Sequence, residues 1–209
     1  MNAQTAATQA SISPANALEL LKEGNQRFVE SKSHDRDLSL QVQQTSTGQY
    51  PFATVLSCID SRVPAELVLD QGIGDIFSVR IAGNFVNTDI LGSMEFACKL
   101  AGTKVILVMG HTACGAVKGA CDHAELGNLT EMLAKITPAV EAVTEPQSPD
   151  ERNSKNIDFV NAVGQKNVEF TIDRIRKESQ VLAEMEANGE LLIIGGMYDL
   201  ATGKVHFSQ

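Results

Sequence analysis

The sequence has no tryptophan, no excess of basic residues, no closely spaced cysteine pair and no long apolar run. Without about 18 consecutive apolar residues, nothing is expected to span a membrane. A net charge of -9 without a basic cluster argues against nucleic acid or an anionic membrane as a partner. The sequence also lacks a Walker A loop and a dinucleotide fingerprint, so no nucleotide site of those kinds is expected.

Four cysteines are spread along the chain without a C-x-x-C pair, which argues against a structural zinc site of the closely spaced kind. A chain of 209 residues can bury a sufficient core without disulfides, so we expect reduced thiols. Residues 1–13 lack the basic and apolar regions of a signal peptide and are expected to be a flexible N-terminal tail. Residues 14–209 are expected to form a single domain. We expect a cytoplasmic location, or a periplasmic one if a leader has been removed.

Apolar, β-branched runs alternate with segments of helical periodicity along the chain. The sequence predicts strands at residues 53–56, 75–79, 104–109 and 191–194, and a hairpin whose turn lies near Thr202 and Gly203. It predicts helices at residues 14–28, 63–67, 88–101, 113–120, 126–143 and 157–188, and a polar surface segment at 31–48. Strands separated by helices indicate an α/β fold, with a mostly parallel central sheet, flanking helices and a C-terminal edge hairpin.

Two short motifs follow strands that are predicted to be buried. Cys58, Asp60 and Arg62 follow the first strand, and His111 and Cys114 follow the third. Sites in open α/β sheets are built at the carboxyl ends of strands. We therefore expect these five side chains at one crevice.

Two thiolates and one imidazole suit Zn²⁺, and three protein ligands leave a fourth position open, as in catalytic zinc sites. Cys98 lies in an amphipathic helical pattern, and Cys121 lies two helical turns after Cys114, so both are poor candidates for a fourth ligand. The residues alone leave a second interpretation open, in which Cys58 and Cys114 are small buried apolar side chains.

The motifs Cys58-x-Asp60-x-Arg62 and His111-x-x-Cys114 resemble those of the β-class carbonic anhydrases. The likeness extends over roughly residues 14–207 and includes three further stretches, at residues 17–28, 80–84 and 198–204. The resemblance implies the β-carbonic anhydrase fold.

The resemblance further implies that the domain is zinc-binding and catalytic, and that it reversibly hydrates carbon dioxide to bicarbonate and a proton. One Zn²⁺ per chain would be held by Cys58, His111 and Cys114. Zinc-bound hydroxide would be the nucleophile, oriented by the dyad of Asp60 and Arg62. The alternative for the dyad is an ion pair with only a structural role.

Gln49 and the Gly115 amide are similar to groups that hold substrate oxygen in the family, with an ordinary loop amide as the alternative for Gln49. Phe77 and Ala82 are candidates for the apolar wall that accepts carbon dioxide, with core packing as the alternative for Phe77. The chain departs from the commoner Cys-Gly-Gly of the family, because Ala116 follows Gly115.

Some bacterial members of the family have a regulatory bicarbonate pocket formed by a Trp, an Arg and a Tyr. Arg80 and Tyr198 match the last two positions, but Val55 stands in place of the Trp. We therefore predict the open form of the site, in which Asp60 stays off the metal, without a bicarbonate switch.

The resemblance also implies a homodimer or homotetramer, with the active site walled by two subunits and the N-terminal helix packed on the neighbour. Two alternative functions are a hydrolase of carbon disulfide or carbonyl sulfide on the same scaffold, and a non-catalytic zinc or thiol regulatory protein.

Overall fold

A computed structural model describes residues 2–208, which are built around one five-stranded sheet. The strand order is β2-β1-β3-β4-β5, and only β5 runs antiparallel to its neighbour. The strands are β1 (Ala53–Ser57), β2 (Ile76–Arg80), β3 (Val105–His111), β4 (Leu192–Tyr198) and β5 (Val205–Phe207). The mostly parallel sheet and its C-terminal edge hairpin are as predicted.

Ten α-helices flank this sheet within the described residues. They are α1 (Ala6–Ser11), α2 (Pro14–Val29), α3 (Leu38–Thr45), α4 (Ala65–Val68), α5 (Thr88–Glu95), α6 (Gly115–Cys121), α7 (Gly127–Leu133), α8 (Thr137–Ala142), α9 (Ile157–Glu178) and α10 (Gln180–Ala187). A π-helical turn, Phe96–Leu100, extends α5, and a short 3₁₀ turn, Pro149–Glu151, precedes α9. None of these helices is both long and apolar enough to cross a membrane.

The neighbouring strands β1 and β3 are buried along their whole length because helices cover both faces of the sheet. Every residue of β1 and β3 is buried. Alternate residues point to opposite faces, so Val55 and Leu107 join the core under α2 and α4, whereas Leu56 and Ile106 join the core under α5, α9 and α10. Parallel strands covered on both faces direct all their carboxyl ends to the same edge, and that edge carries the site.

Helix α2 packs on its own sheet through its apolar stripe, and the expectation that the N-terminal helix also packs on a neighbouring subunit stays a prediction. Leu21 is fully buried within one chain. The Asn25 amide donates to the carbonyl of Gly203 at 2.9 Å and accepts from the N–H of Val205 at 2.8 Å, which joins α2 to the C-terminal hairpin.

Two segments for which the sequence predicted no helix, the N-terminal tail and the polar surface segment, contain helices. In the expected N-terminal tail, Thr5 caps α1, and the Gln9 amide donates to the carbonyls of Pro51 (2.6 Å) and Ala101 (2.8 Å). In the polar segment 31–48, the Asp37 carboxylate accepts from the N–H of Leu40 at 2.9 Å and begins α3. These helices lack a strong apolar period because caps and polar contacts hold them instead, so the sequence pattern did not predict them.

Two helices that were predicted to be continuous are interrupted. The segment 126–143 divides into α7 and α8, with Pro138 in the first turn of α8. The segment 157–188 is broken at Ser179, whose backbone is extended. The Ser179 hydroxyl donates to Glu95 at 2.6 Å and accepts from the N–H of Leu182 at 3.3 Å, so this one residue ends α9 and caps α10.

Candidate metal centre

Three potential metal ligands converge at the carboxyl edge of the sheet. Cys58 directly follows β1, His111 is the last residue of β3, and Cys114 is the cap of α6. Their ligand atoms all lie within 4.8 Å of one another, and the two sulfur atoms are 3.9 Å apart. All three residues are buried. Because β1 and β3 are paired and parallel, their carboxyl ends bring together ligands that are far apart in sequence.

The imidazole of His111 has one nitrogen bonded and one left over. Nδ1 lies 2.9 Å from the carbonyl oxygen of Thr112, and because a carbonyl only accepts, Nδ1 carries the proton. Nε2 is buried without a hydrogen-bond partner, which is rare for a polar atom. A carbonyl on one ring nitrogen and a free lone pair on the other is the usual arrangement of a metal-ligating histidine.

The two thiols influence each other strongly. The hydrogen bond from Cys114, helped by contacts with His111 and with the N–H of Gly83 (3.4 Å), lowers the pKa of Cys58 to about 4. The Cys58 thiolate and burial in turn raise the pKa of Cys114. A cation between the two sulfurs would stabilise both as thiolates.

The other two cysteines have different surroundings. Burial raises the pKa of Cys98 and of Cys121 to about 11. Neither belongs to a group of potential metal ligands in residues 2–208. The interpretation as small buried apolar side chains therefore fits these two cysteines, and not Cys58 and Cys114.

The carboxylate of Asp60 lies beside the ligand cluster and is held by Arg62. Oδ1 accepts from Nε of Arg62 at 2.9 Å and Oδ2 accepts from Nη2 at 2.7 Å, while Oδ2 lies 3.9 Å from Nε2 of His111. These hydrogen bonds hold the pKa of Asp60 well below its usual range, although partial burial opposes the shift. The site thus contains an ionised acceptor next to the buried ligands.

Further residues that the motifs did not identify hold the ligand loop in place. Arg80 donates to the carbonyls of Cys58 (Nε, 3.0 Å) and Asp60 (Nη2, 2.7 Å). Gly83, which has a φ of +79°, directs its N–H to the Cys58 sulfur, and its carbonyl accepts from Asn167 at 2.7 Å. The stretch 80–84 was included in the family likeness, but only the fold shows that Gly83 faces Cys58.

The four expected substrate residues divide into two pairs. Gly115 begins α6 directly after Cys114, and Ala82 precedes Gly83, so both lie beside the cluster. Phe77 lies on β2 three residues before its end and packs edge-on against Phe96, with ring centroids 6.2 Å apart.

Gln49 is exposed and precedes β1, whereas Cys58 follows that strand. Five strand residues span about 16 Å, so a single chain places Gln49 at the opposite end of the sheet from the ligands.

The three positions that match the regulatory pocket have different surroundings within one chain. Val55 is fully buried in the core, and Arg80 is bonded to the two carbonyls of the ligand loop. Tyr198 is buried opposite His111 in the β3–β4 register, and burial raises its pKa. The absence of a bicarbonate switch stays a prediction.

Comparisons with known proteins agree on one family. The carbonic anhydrase family model matches residues 53–205. Carbonic anhydrase 2 of Mycobacterium tuberculosis is 34% identical over 192 residues, which cover 91% of each chain. The carbonic anhydrase of Mycolicibacterium smegmatis is 33% identical over 198 residues, 92% of each chain.

Among solved structures, a tetrameric β-carbonic anhydrase from Sordaria macrospora is similar, with a TM-score of 0.69 at 25% identity over 92% of this chain and 96% of that one. The family match over most of the chain, the relatives and the shared fold together show that this chain is an enzyme of the β-class carbonic anhydrases, a family of zinc-dependent lyases.

Proposed function

We propose that the protein reversibly hydrates carbon dioxide to bicarbonate and a proton, with one Zn²⁺ held by Cys58, His111 and Cys114. The observation that carries the proposal is the buried cluster itself, in which two sulfur atoms lie close to an imidazole whose Nε2 is buried without a hydrogen-bond partner. Zinc with three protein ligands has an open position, and it lowers the pKa of a water bound there to near neutrality, which supplies a nucleophile.

Asp60 would accept a hydrogen bond from the attacking water and so aim its lone pair at carbon dioxide. Its Oδ2 lies 3.9 Å from Nε2 of His111, so this acceptor lies beside the residues that would hold the metal. Arg62 contacts both carboxylate oxygens, which keeps Asp60 ionised and holds its carboxylate in place beside the ligands. The contacts with Arg62 support the open form of the site, in which Asp60 is not a metal ligand.

The geometry of the substrate pocket supports an active site shared by two subunits of a homodimer or homotetramer. Gly115 and Ala82 would contact the substrate from the same chain as the ligands, through the Gly115 N–H and an apolar wall. Gln49 and Phe77 lie away from those ligands, so they could contact the substrate only from a second chain. Gln49 is exposed and Phe77 lines an open groove along the edge strand β2, so both are accessible to a neighbour.

The function is tested by stopped-flow carbon dioxide hydration on protein of known zinc content. Wild type with about one zinc per chain should accelerate hydration, and Cys58→Ser should lose zinc and activity together because one thiolate ligand is gone. Cys121→Ala is the matched control, since Cys121 is buried outside the cluster and should keep both.

Three results would contradict the proposal. Zinc retained in Cys58→Ser would exclude that residue as a ligand. Zinc-replete wild type without hydration would favour hydrolysis of carbon disulfide or carbonyl sulfide. Wild type that takes up no zinc when zinc is supplied, and that forms a reversible disulfide under physiological conditions, would favour the thiol regulatory function.

A further inference from the structure

One peptide unit next to the metal centre is held from both sides. It joins Thr112 to Ala113, between the ligands His111 and Cys114. Its carbonyl oxygen accepts the Nδ1 proton of His111 at 2.9 Å, and its N–H donates to Oδ1 of Asn161 at 2.8 Å. Asn161, peptide and imidazole therefore form one chain of hydrogen bonds, and such chains strengthen each member.

The backbone of this peptide is not in a relaxed conformation. Ala113 has a φ of +52°, in the left-handed region that a residue with a Cβ rarely adopts. That conformation costs about 1–2 kcal/mol, so it persists only where contacts enforce it. The contact that enforces it is the hydrogen bond from the Ala113 N–H to Oδ1 of Asn161, a residue near the start of the long helix α9. Helix α9 packs against the sheet core, so it provides a rigid support.

We propose that Asn161 is a positioning residue of the metal centre: it fixes the Thr112–Ala113 peptide, and that peptide fixes His111 with its proton on Nδ1 and its lone pair on Nε2. The inference rests on the proposed zinc function of the cluster. Within residues 2–208 the Asn161 side chain has no hydrogen bond to Cys58, His111 or Cys114, so it acts on the centre through the peptide. Without the Asn161 oxygen as acceptor for the Ala113 N–H, the peptide rotates and relieves the backbone strain at Ala113. The Thr112 carbonyl then no longer selects one tautomer of His111.

The test compares Asn161→Leu, which removes the acceptor, with Asn161→Asp, which keeps an acceptor oxygen in a side chain of the same shape. Gln165→Leu is the matched control, because Gln165 lies one turn later on α9 and its side chain makes no hydrogen bond within residues 2–208. Asn161→Ala serves as a second loss variant that favours the helix, should the leucine disturb folding.

Two quantities are measured. The first is the tautomer of His111 in the metal-free protein, from ¹⁵N–¹H NMR of the imidazole, with the His111 signals assigned by their absence in His111→Gln. The second is zinc affinity, from competition with a chelator. Wild type, Asn161→Asp and Gln165→Leu should show a single Nδ1–H tautomer. Asn161→Leu and Asn161→Ala should show a mixture and bind zinc about tenfold more weakly, the lower end of the effect of removing a partner of a metal-ligating residue.

An unchanged tautomer with unchanged zinc affinity in Asn161→Leu and Asn161→Ala would overturn the inference. So would an equal loss in Asn161→Asp, since the acceptor would then not be the reason for the loss. Failure of the zinc function is distinguishable, because wild type would then bind no zinc, while the tautomer comparison in metal-free protein would still decide the role of Asn161.

Discussion

Replacing Asp60 by Asn separates orientation of the nucleophile from metal binding. The change is nearly isosteric and leaves the three ligands in place. In the wild type, both carboxylate oxygens accept hydrogen bonds from Arg62, and Oδ2 also faces the cluster at 3.9 Å from Nε2 of His111. An amide offers one acceptor oxygen instead of two and no charge, and its NH2 group would face one of the Arg62 donors, so it cannot keep both Arg62 hydrogen bonds while it accepts from the attacking water.

The expected loss follows from the strength of that hydrogen bond. A hydrogen bond to a charged group contributes about 1.5–3 kcal/mol, which corresponds to a fall of about 10- to 150-fold in kcat. Folding should change little, because the Arg62 side chain is 57% exposed and can be solvated when its partner loses its charge.

The assay is stopped-flow hydration with zinc content measured on the same samples. Glu169→Gln is the control, because it removes a carboxylate from an exposed ion pair with Lys166 on α9 and should leave the rate unchanged. Full activity in zinc-replete Asp60→Asn would refute the role in orientation. Loss of zinc together with the rate would mean that Asp60 acts on metal retention instead.

Two further predictions concern stability and thiol chemistry. Burial would raise the pKa of Asp70, but hydrogen bonds from Arg27 and Arg36 lower it overall, so the carboxylate stabilises the fold above about pH 4 and loses this effect as the pH falls through its depressed pKa. Asp70→Asn should cost about 3 kcal/mol near neutral pH, or about 6–12 °C in Tm. Removing the metal should expose Cys58 and Cys114, 3.9 Å apart, to a mild oxidant, and a thiol titration should then find two of the four cysteines lost.

Both predictions have controls within the chain. Glu19→Gln breaks an exposed ion pair with Lys22 and should change the unfolding free energy by less than about 1 kcal/mol. An equal loss in Glu19→Gln and Asp70→Asn, measured by urea unfolding, would show that burial of Asp70 is not the cause. Cys58→Ser should retain its remaining thiols under the oxidant. Loss of Cys98 or Cys121 in the wild type would contradict the assignment of the reactive thiol to Cys58, whose pKa is the only one of the four that is lowered.

The sheet and the ligand cluster were predictable from the sequence because both depend on local signals. A buried strand is an uninterrupted apolar run, and Cys58 and His111 stand where such runs end. Caps and breaks were harder to predict. Ser179 interrupts a helical pattern whose apolar period continues on both sides, and it does so through a contact with Glu95, which is distant in sequence.

The substrate pocket illustrates a different limit. The resemblance identifies Gln49 and Phe77, but a motif does not state which copy of a chain supplies a residue. Only the position of Gln49 at the amino end of β1 shows that one chain cannot bring it to the ligands. Asn161 carried no sequence signal at all, because an asparagine inside a helix is ordinarily a surface residue, and its partner Ala113 lies in another part of the chain.

The pairing of β3 with β4 ties the candidate ligand His111 to a part of the chain that is distant in sequence. Thr112, whose carbonyl holds His111, donates its N–H to the carbonyl of Tyr198 at 3.0 Å and accepts from the N–H of Leu200 through its hydroxyl at 3.0 Å. A substitution in β4, or in the turn that follows it, can therefore change the orientation of His111 without replacing any of the three residues that could hold a metal.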